Sequence, residues 1–252
     1  MLSEKELLPE MIRYLAPYSD IPKDADKQWG LFRALINMRH PQPISDDFIA
    51  LQDRYLQARS RQTKITSLDE LTPIKENIYV WQGDITTLMV DAIVNAANSQ
   101  LLGCFIPNHA CIDNAIHTFA GIQLRMACTE LMERQGYPEP IGRAKITLAY
   151  NLPSNYVIHT VGPIIHNVVS ESDCRLLQSC YEACLQTAVE NGVHSLAFCC
   201  ISTGEFHFPN DSAAHIAVET VEKFLKNQPS LKVVFNVFKD ADKHFYQELL
   251  AN

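Results

Sequence analysis

Three side chains suited to a borderline metal stand close together in one stretch, Gly103-Cys104-Phe105-Ile106-Pro107-Asn108-His109-Ala110-Cys111. Thiolate and imidazole are the natural tetrahedral donors for Zn²⁺, so Cys104, His109 and Cys111 form a candidate ligand set. No fourth protein ligand stands at comparable range. Three protein ligands with one open position describe a catalytic zinc rather than a closed structural one. The spacing matches no common finger pattern, and the alternative is a core cysteine pair that happens to lie near a surface histidine. Asp113 follows at once in Ile112-Asp113-Asn114-Ala115-Ile116. It can cap a helix there, or, beside a metal, orient or deprotonate a water.

Three further segments put polar groups where strands should end. In Val94-Asn95-Ala96-Ala97-Asn98 two asparagines bracket two alanines. Asparagine is a poor strand residue, so each needs a structural or a ligand role. An amide can both donate to and accept from vicinal hydroxyls. We assign the bracing of the loop backbone to Asn95 and ligand contact to Asn98. In Trp81-Gln82-Gly83-Asp84-Ile85-Thr86, Asp84 can cap a turn or accept from an exocyclic amine such as that of adenine. The third segment, Ser202-Thr203-Gly204-Glu205-Phe206-His207-Phe208-Pro209, is a small-residue turn entering a helix, suited to cradling a diphosphate with backbone N–H groups. Its two aromatics could wall a sugar. No Gly-Lys-Ser/Thr follows it, and Gly-x-Gly-x-x-Gly is absent, so it is neither a Walker loop nor a dinucleotide fingerprint.

The elements that position these groups fall into two parts. In residues 1–70, apolar positions recur at helical spacing: Leu2, Leu7, Leu8, Met11, Ile12 and Leu15, then Trp29, Phe32, Leu35, Ile36 and Met38, then Phe48, Ile49, Leu51, Tyr55 and Leu56. Ser3 with Glu6 reads as a capping pair for the first of these helices. The three helices are expected to pack against the main domain, with no site chemistry of their own and a purely structural role. Residues 71–252 form that domain. Strands are expected over 78–81, 91–97, 146–150, 156–161, 196–201 and 233–238. Helices are expected over about 111–135, 172–191, 211–227 and 241–250. Apolar strands alternating with helices predict a mixed, largely parallel sheet covered on both faces, with ligands at the carboxyl ends of its strands.

Composition narrows the function classes. The chain has 252 residues, long enough for a sizeable core, and a formal charge of −8 without any Lys/Arg run, which removes the basic footprint of a nucleic-acid binder. The first twenty residues contain no apolar signal region, and the run 196–201 is too short to span a bilayer. We therefore expect a cytoplasmic protein with no nucleic-acid or membrane partner. The eight cysteines are then thiols or ligands rather than bridges. Cys199 and Cys200 read as small core residues. Cys180 and Cys184, four apart on a helix, could bind metal, but with no third ligand nearby core packing is the stronger reading.

Taken together, residues 75–250 resemble the macrodomain family, which binds ADP-ribose. The resemblance rests on Gly83-Asp84-Ile85-Thr86, on Val90 to Asn98 (Val-Asp-Ala-Ile-Val-Asn-Ala-Ala-Asn), on Ile112-Asp113-Asn114-Ala115-Ile116, on His159-Thr160-Val161-Gly162-Pro163, and on Ile201-Ser202-Thr203-Gly204, in the family's order. It implies a three-layer α/β/α fold with a mixed central sheet, here with an N-terminal helical extension. It places the adenine amine on Asp84 with Ile85 beside it, and the distal ribose on Asn98. Ser202, Thr203, Gly204, Glu205 and Phe206 would wrap the diphosphate, with Phe208 near the distal end. Cys111, Ile112 and Asp113 belong to the same ADP-ribose site.

Two departures point further. The Cys104–Cys111 stretch replaces the family's usual glycine-rich segment, and His207 stands where glycine is usual. With the helical extension, they resemble a zinc-dependent subclass from microbial pathogens. Those proteins are ADP-ribosyl hydrolases whose metal is carried by the residues matching Cys104, His109 and Cys111. The subclass is linked to a sirtuin-like transferase that modifies a lipoylated carrier protein. The expected activity is removal of mono-ADP-ribose from a protein by cleavage at C1 of the distal ribose, through an oxocarbenium-like transition state. Asp113 and Asn98 are the candidate catalytic residues and Zn²⁺ the expected cofactor, polarising a ribose hydroxyl or activating a water. A non-enzymatic ADP-ribose reader with a structural zinc, and an O-acetyl-ADP-ribose deacetylase, are the rival readings.

Overall fold

The computed structural model describes residues 3–251, so Leu2 lies outside the described residues. Three helices come first: α1 (Glu4–Leu15), α2 (Ala25–Met38) and α3 (Asp46–Gln62). Each is capped at its start, the first by the pair expected from the sequence. The Glu6 carboxylate accepts from the Ser3 amide at 2.8 Å, Asp24 accepts from the Lys27 amide, and Ser45 from that of Phe48. Their apolar stripes meet in a small core of their own, Leu8, Met11, Ile12, Phe32, Ile36 and Phe48, closed from the main domain by Ile122. Burying each such side chain stabilises the helix packing by about 1.5–3 kcal/mol.

The main sheet contains β2 (Ile78–Gln82), β4 (Ala92–Ala96), β5 (Ala144–Leu148), β6 (Tyr156–Thr160), β7 (Ser195–Phe198) and β8 (Lys232–Val237). Their order is β2-β8-β7-β4-β6-β5, and only β5 runs antiparallel to its neighbour. Five parallel strands therefore end at one edge. That edge carries Gly83-Asp84, Phe238, Cys199, Ala97 and Val161, the starts of the loops singled out above. The helices α4 (Ile112–Ala120) and α5 (Ile122–Gln135) cover one face, and α6 (Glu171–Glu190), α7 (Asn210–Leu225) and α8 (Asp240–Leu250) the other. This is the three-layer α/β/α arrangement. A second, two-stranded sheet pairs β1 (Thr66–Ser67) with β3 (Leu88–Met89), and both strands are too short to show in the hydrophobic pattern.

Two expected elements change. The helix expected over 111–135 breaks at Gly121, whose φ of 95° an L side chain rarely adopts. The Gln52 amide of α3 fills the break, accepting from the Ile122 amide at 3.1 Å and donating to Gln123 at 2.7 Å. The strand expected over 196–201 leaves the sheet after Phe198, because the chain must turn there toward the Ser202 loop. Cys180, Cys184 and Cys199 are buried among core residues, as their apolar neighbours predict.

Candidate active site at the carboxyl edge of the sheet

The centre of the edge is a buried carboxylate. Asp113 lies in the first turn of α4, whose N-cap is Cys111, with only 8% of its side chain exposed. Its Oδ1 accepts from the Asn95 amide at 2.8 Å and its Oδ2 from the Asn98 amide at 3.4 Å, and His117 Nε2 stands 3.6 Å away. Burial pushes the carboxyl up to about 6, against the amide bond from Asn95 and the Arg125 charge, which pull it down. The two asparagines divide the work differently from the expectation. Asn95 is fully buried in β4 and braces side chains, donating to Asp113 and lying 3.2 Å from His159 Nδ1. Asn98 is the one that braces the loop, donating to the Gly103 carbonyl at 3.1 Å and accepting from the Gln100 amide at 3.0 Å. The reason is depth: a strand-interior amide cannot reach a loop that starts three residues later.

Beside Asp113, the ligand atoms of Cys104, His109 and Cys111 all lie within 4.8 Å of one another. Cys104 Sγ is 3.7 Å from His109 Nδ1, while His109 Nε2 faces Glu205 at 3.6 Å. Burial and the neighbouring Cys104 thiol push Cys111 up to about 12, so a thiolate here calls for a compensating cation. Two sulfurs and one ring nitrogen at this separation fit Zn²⁺ in number, softness and span. A second group, His117, Cys128 and His159, lies beneath, wholly buried. His159 is already engaged at both nitrogens, by Asn95 and by Thr147 Oγ1 at 2.9 Å. It braces Asn95 and hence Asp113.

The Ser202 loop runs along the same edge. Ser202 is buried at a left-handed φ of 65°, and its carbonyl accepts from the Phe208 amide at 2.9 Å. The Phe206 carbonyl accepts from Ile165, which ties the loop to the segment after β6. Among the described residues, the amides of Gly204, Glu205 and Phe206 donate to no protein acceptor, and Gly204 and Glu205 are exposed. Such a turn offers N–H groups to an anion. Phe208 departs from the expected sugar wall: it is 1% exposed and belongs to the core, where it supports the loop from beneath. At the other end, Asp84 Oδ1 caps a short turn through Thr86 N (2.9 Å) and Thr86 Oγ1 (2.7 Å). Its Oδ2 takes no donor among the described residues, so cap and ligand roles are compatible. Ile85 is 1% exposed, which leaves its main chain for any ligand contact, and Ile112 is half-buried beside Asp113.

The macro domain model matches residues 94–217. The protein-ADP-ribose hydrolase of Treponema medium is 52% identical to this chain, over 99% of this chain and 100% of the relative. The protein of the same name from Staphylococcus aureus (strain MSSA476) is 54% identical, over 90% of this chain and 86% of its own length. The chain belongs to the macrodomain family. A Trypanosoma brucei macrodomain solved in complex with ADP-ribose superposes with a TM-score of 0.67 at 28% identity, covering 86% of this chain and 94% of that one.

Two features of this macrodomain's site escaped the sequence reading. Phe238 follows β8 and is 78% exposed beside the Gly83-Asp84 turn, its carbonyl accepting from Gln82 at 3.3 Å. An aromatic left in water at the mouth of a site is a ready stacking surface. In sequence it reads as the last residue of a strand, and only its exposure distinguishes it. The helical extension also does more than pack. Arg33 of α2 donates to the His109 carbonyl at 2.9 Å and to Asn114 Oδ1 at 2.7 Å. A cleft of about 200 Å³ between α3 and the Asp84 turn is lined by Arg59, Thr63, Asp84, Phe119 and Pro153. These contacts join residues more than seventy positions apart in the chain and so leave no local signal in the sequence. Among the described residues, no helix is long and apolar enough to cross a membrane.

Proposed function

We propose that this macrodomain hydrolyses mono-ADP-ribose from modified protein, cleaving at C1 of the distal ribose. The observation that carries this reading is the placing of Asp113 and the Cys104, His109 and Cys111 donors at one end of an edge whose other end offers Asp84 and Phe238. It is supported by the high identity to proteins named protein-ADP-ribose hydrolase. Asp84 Oδ2 accepts from the adenine amine and Phe238 stacks on the ring. The amides of Gly204 to Phe206 hold the diphosphate. These remote contacts fix the position of C1, so that binding energy from the distant parts of the ligand is spent on orienting the reacting end.

At the reacting end, Asp113 is held by Asn95 and Asn98 so that it cannot rotate away. Burial keeps it more basic than an ordinary carboxylate while still ionised near neutrality, the state a general base needs. It orients water toward C1 and takes its proton as the bond from C1 to the modified side chain breaks, and can return that proton to the departing side-chain atom. Cys104, His109 and Cys111 would hold Zn²⁺, which would supply a positive charge to polarise a ribose hydroxyl or to activate a water. Following the subclass resemblance, a lipoylated carrier protein modified by a sirtuin-like transferase is the substrate class to assay first.

The test is release of ADP-ribose from a mono-ADP-ribosylated protein, followed by mass spectrometry, with parallel metal analysis. Turnover that stops with chelator and returns with added Zn²⁺, while free ADP-ribose still binds, is the expected result. Turnover at an unchanged rate in metal-free protein would remove the metal from the chemistry. Binding without turnover on any modified protein would make the chain a reader.

A further inference from the structure

The Cys104–Cys111 loop has no regular secondary structure, yet it must hold three donors in register. It obtains that rigidity from α2. The Arg33 guanidinium donates through Nε (3.2 Å) and Nη2 (2.7 Å) to Asn114 Oδ1, and through Nη2 to the His109 carbonyl (2.9 Å). Asn114 is fully buried and turns that grip back on the loop: its amide donates to the Ile106 carbonyl at 3.0 Å and its backbone N–H to Cys111 Sγ at 3.4 Å. One turn further along α2, the buried Asn37 accepts from the Asn108 amide at 3.0 Å and donates to Thr118 at 3.0 Å. Asn108 stands at a left-handed φ of 55° and donates in turn to the Gly30 carbonyl. At the loop's start, Arg125 links the Leu102 carbonyl to the last carbonyls of α2, those of Ile36, Asn37 and Arg39. The loop is thus tied to the extension at Leu102, Ile106, Asn108 and His109, directly or through one side chain.

We infer that the N-terminal extension is a working part of the metal site, and that Arg33 is a positioning residue that sets the affinity of the Cys104, His109 and Cys111 donors for zinc. This rests on the metal reading proposed above. Partners that orient ligands in this way are worth roughly 10–100-fold in metal affinity. A planar fork that satisfies an amide oxygen and a carbonyl together cannot be reproduced by an ammonium, so lysine should substitute only in part.

The experiment is zinc affinity of the full chain by competition with a chromophoric chelator, for wild type, Arg33→Met and Arg33→Lys, together with hydrogen exchange of residues 104–111 in the chelated proteins. R33M should lose about tenfold or more in zinc affinity and exchange faster across the loop, with R33K between it and wild type. Free ADP-ribose affinity should change less, because Arg33 forms its hydrogen bonds with Asn114 and the His109 carbonyl and meets Asp84 only through charge at longer range. A merely structural role would lower the melting temperature of the metal-free protein without changing zinc affinity. If R33M does not fold, R33K carries the same comparison. Wild type that binds zinc while both variants bind it equally overturns this inference alone. Wild type that takes up no zinc overturns the metal reading and the inference together.

Discussion

Replacing Gly162 by alanine should displace the diphosphate loop as a unit. Gly162 follows β6 and is buried against the Ser202 loop. A β-carbon there would overlap Ser202 Oγ outright, and would lie 3.0 Å from Ile201 Cγ2 and 3.3 Å from Ser202 Cβ. Carbon contacts are comfortable near 3.5–4.0 Å, so the hydroxyl must retreat by more than about 1 Å and the two carbons by a few tenths. Rotating Ser202 relieves the first overlap and leaves the other two. The loop has little room to yield, since Ser202 is already at a left-handed φ and is tied to Phe208, while Phe206 is tied to Ile165. Overpacking of this kind costs about 1–3 kcal/mol. At about 2–4 °C per kcal/mol for a domain of this size, the melting temperature should fall by roughly 2–12 °C. Shifting the amides that hold the diphosphate by about 1 Å should reduce kcat/KM by about 10²-fold. Thermal melts and release of ADP-ribose from modified protein would measure both. In a double-mutant cycle, Ser202→Ala in the Gly162→Ala background should recover part of each loss, with a coupling energy of about 1 kcal/mol. G162A at wild-type stability and activity, or a double variant no better than the single, would refute the argument.

Asp84→Ala should weaken free ADP-ribose binding by about 1.5–3 kcal/mol, as for a lost charge-assisted bond, and cost about 1 kcal/mol of stability through the lost cap on Thr86; unchanged calorimetric affinity would remove Asp84 from the adenine end. Phe238→Ala should leave the melting temperature near wild type, because the ring is exposed, yet weaken ADP-ribose binding by about 1–3 kcal/mol in the same titration. Burial holds His159 down to about 4, and His117 well below its ordinary value. Protonation therefore favours the unfolded chain: stability is full above pH 6.5 and declines as pH falls toward 4. His159 alone should account for about 3 kcal/mol of that decline at about 1.4 kcal/mol per pKa unit. Asp113, raised to about 6, works in the opposite sense over pH 6 to 4 and offsets part of it. Urea unfolding across that range should show a shallower slope for His159→Gln than for wild type, and equal slopes would contradict a neutral buried His159.

Much of the protein is legible in the chain alone, and the legible part is local. The run Ala92-Ile93-Val94 announces a buried strand because a strand covered on both faces has no polar side to alternate with. The Ser3–Glu6 pair marks a helix start because four N–H groups must be satisfied there by the nearest side chains. Cys104, His109 and Cys111 declare themselves because their donors are held by one short loop, and the alternation of strands and helices puts that loop at the carboxyl edge without any need for coordinates. What required the tertiary structure is whatever depends on depth or on residues distant in sequence. The bracing of the loop by Asn98 rather than Asn95, the burial of Phe208 and the exposure of Phe238 are matters of which side of a surface a side chain falls on, and two residues with the same local pattern can fall on opposite sides. Arg33 meeting Asn114 and His109 is a matter of how α2 docks. An amphipathic helix advertises the face it buries, whereas the polar partner its other side will find is chosen by the fold.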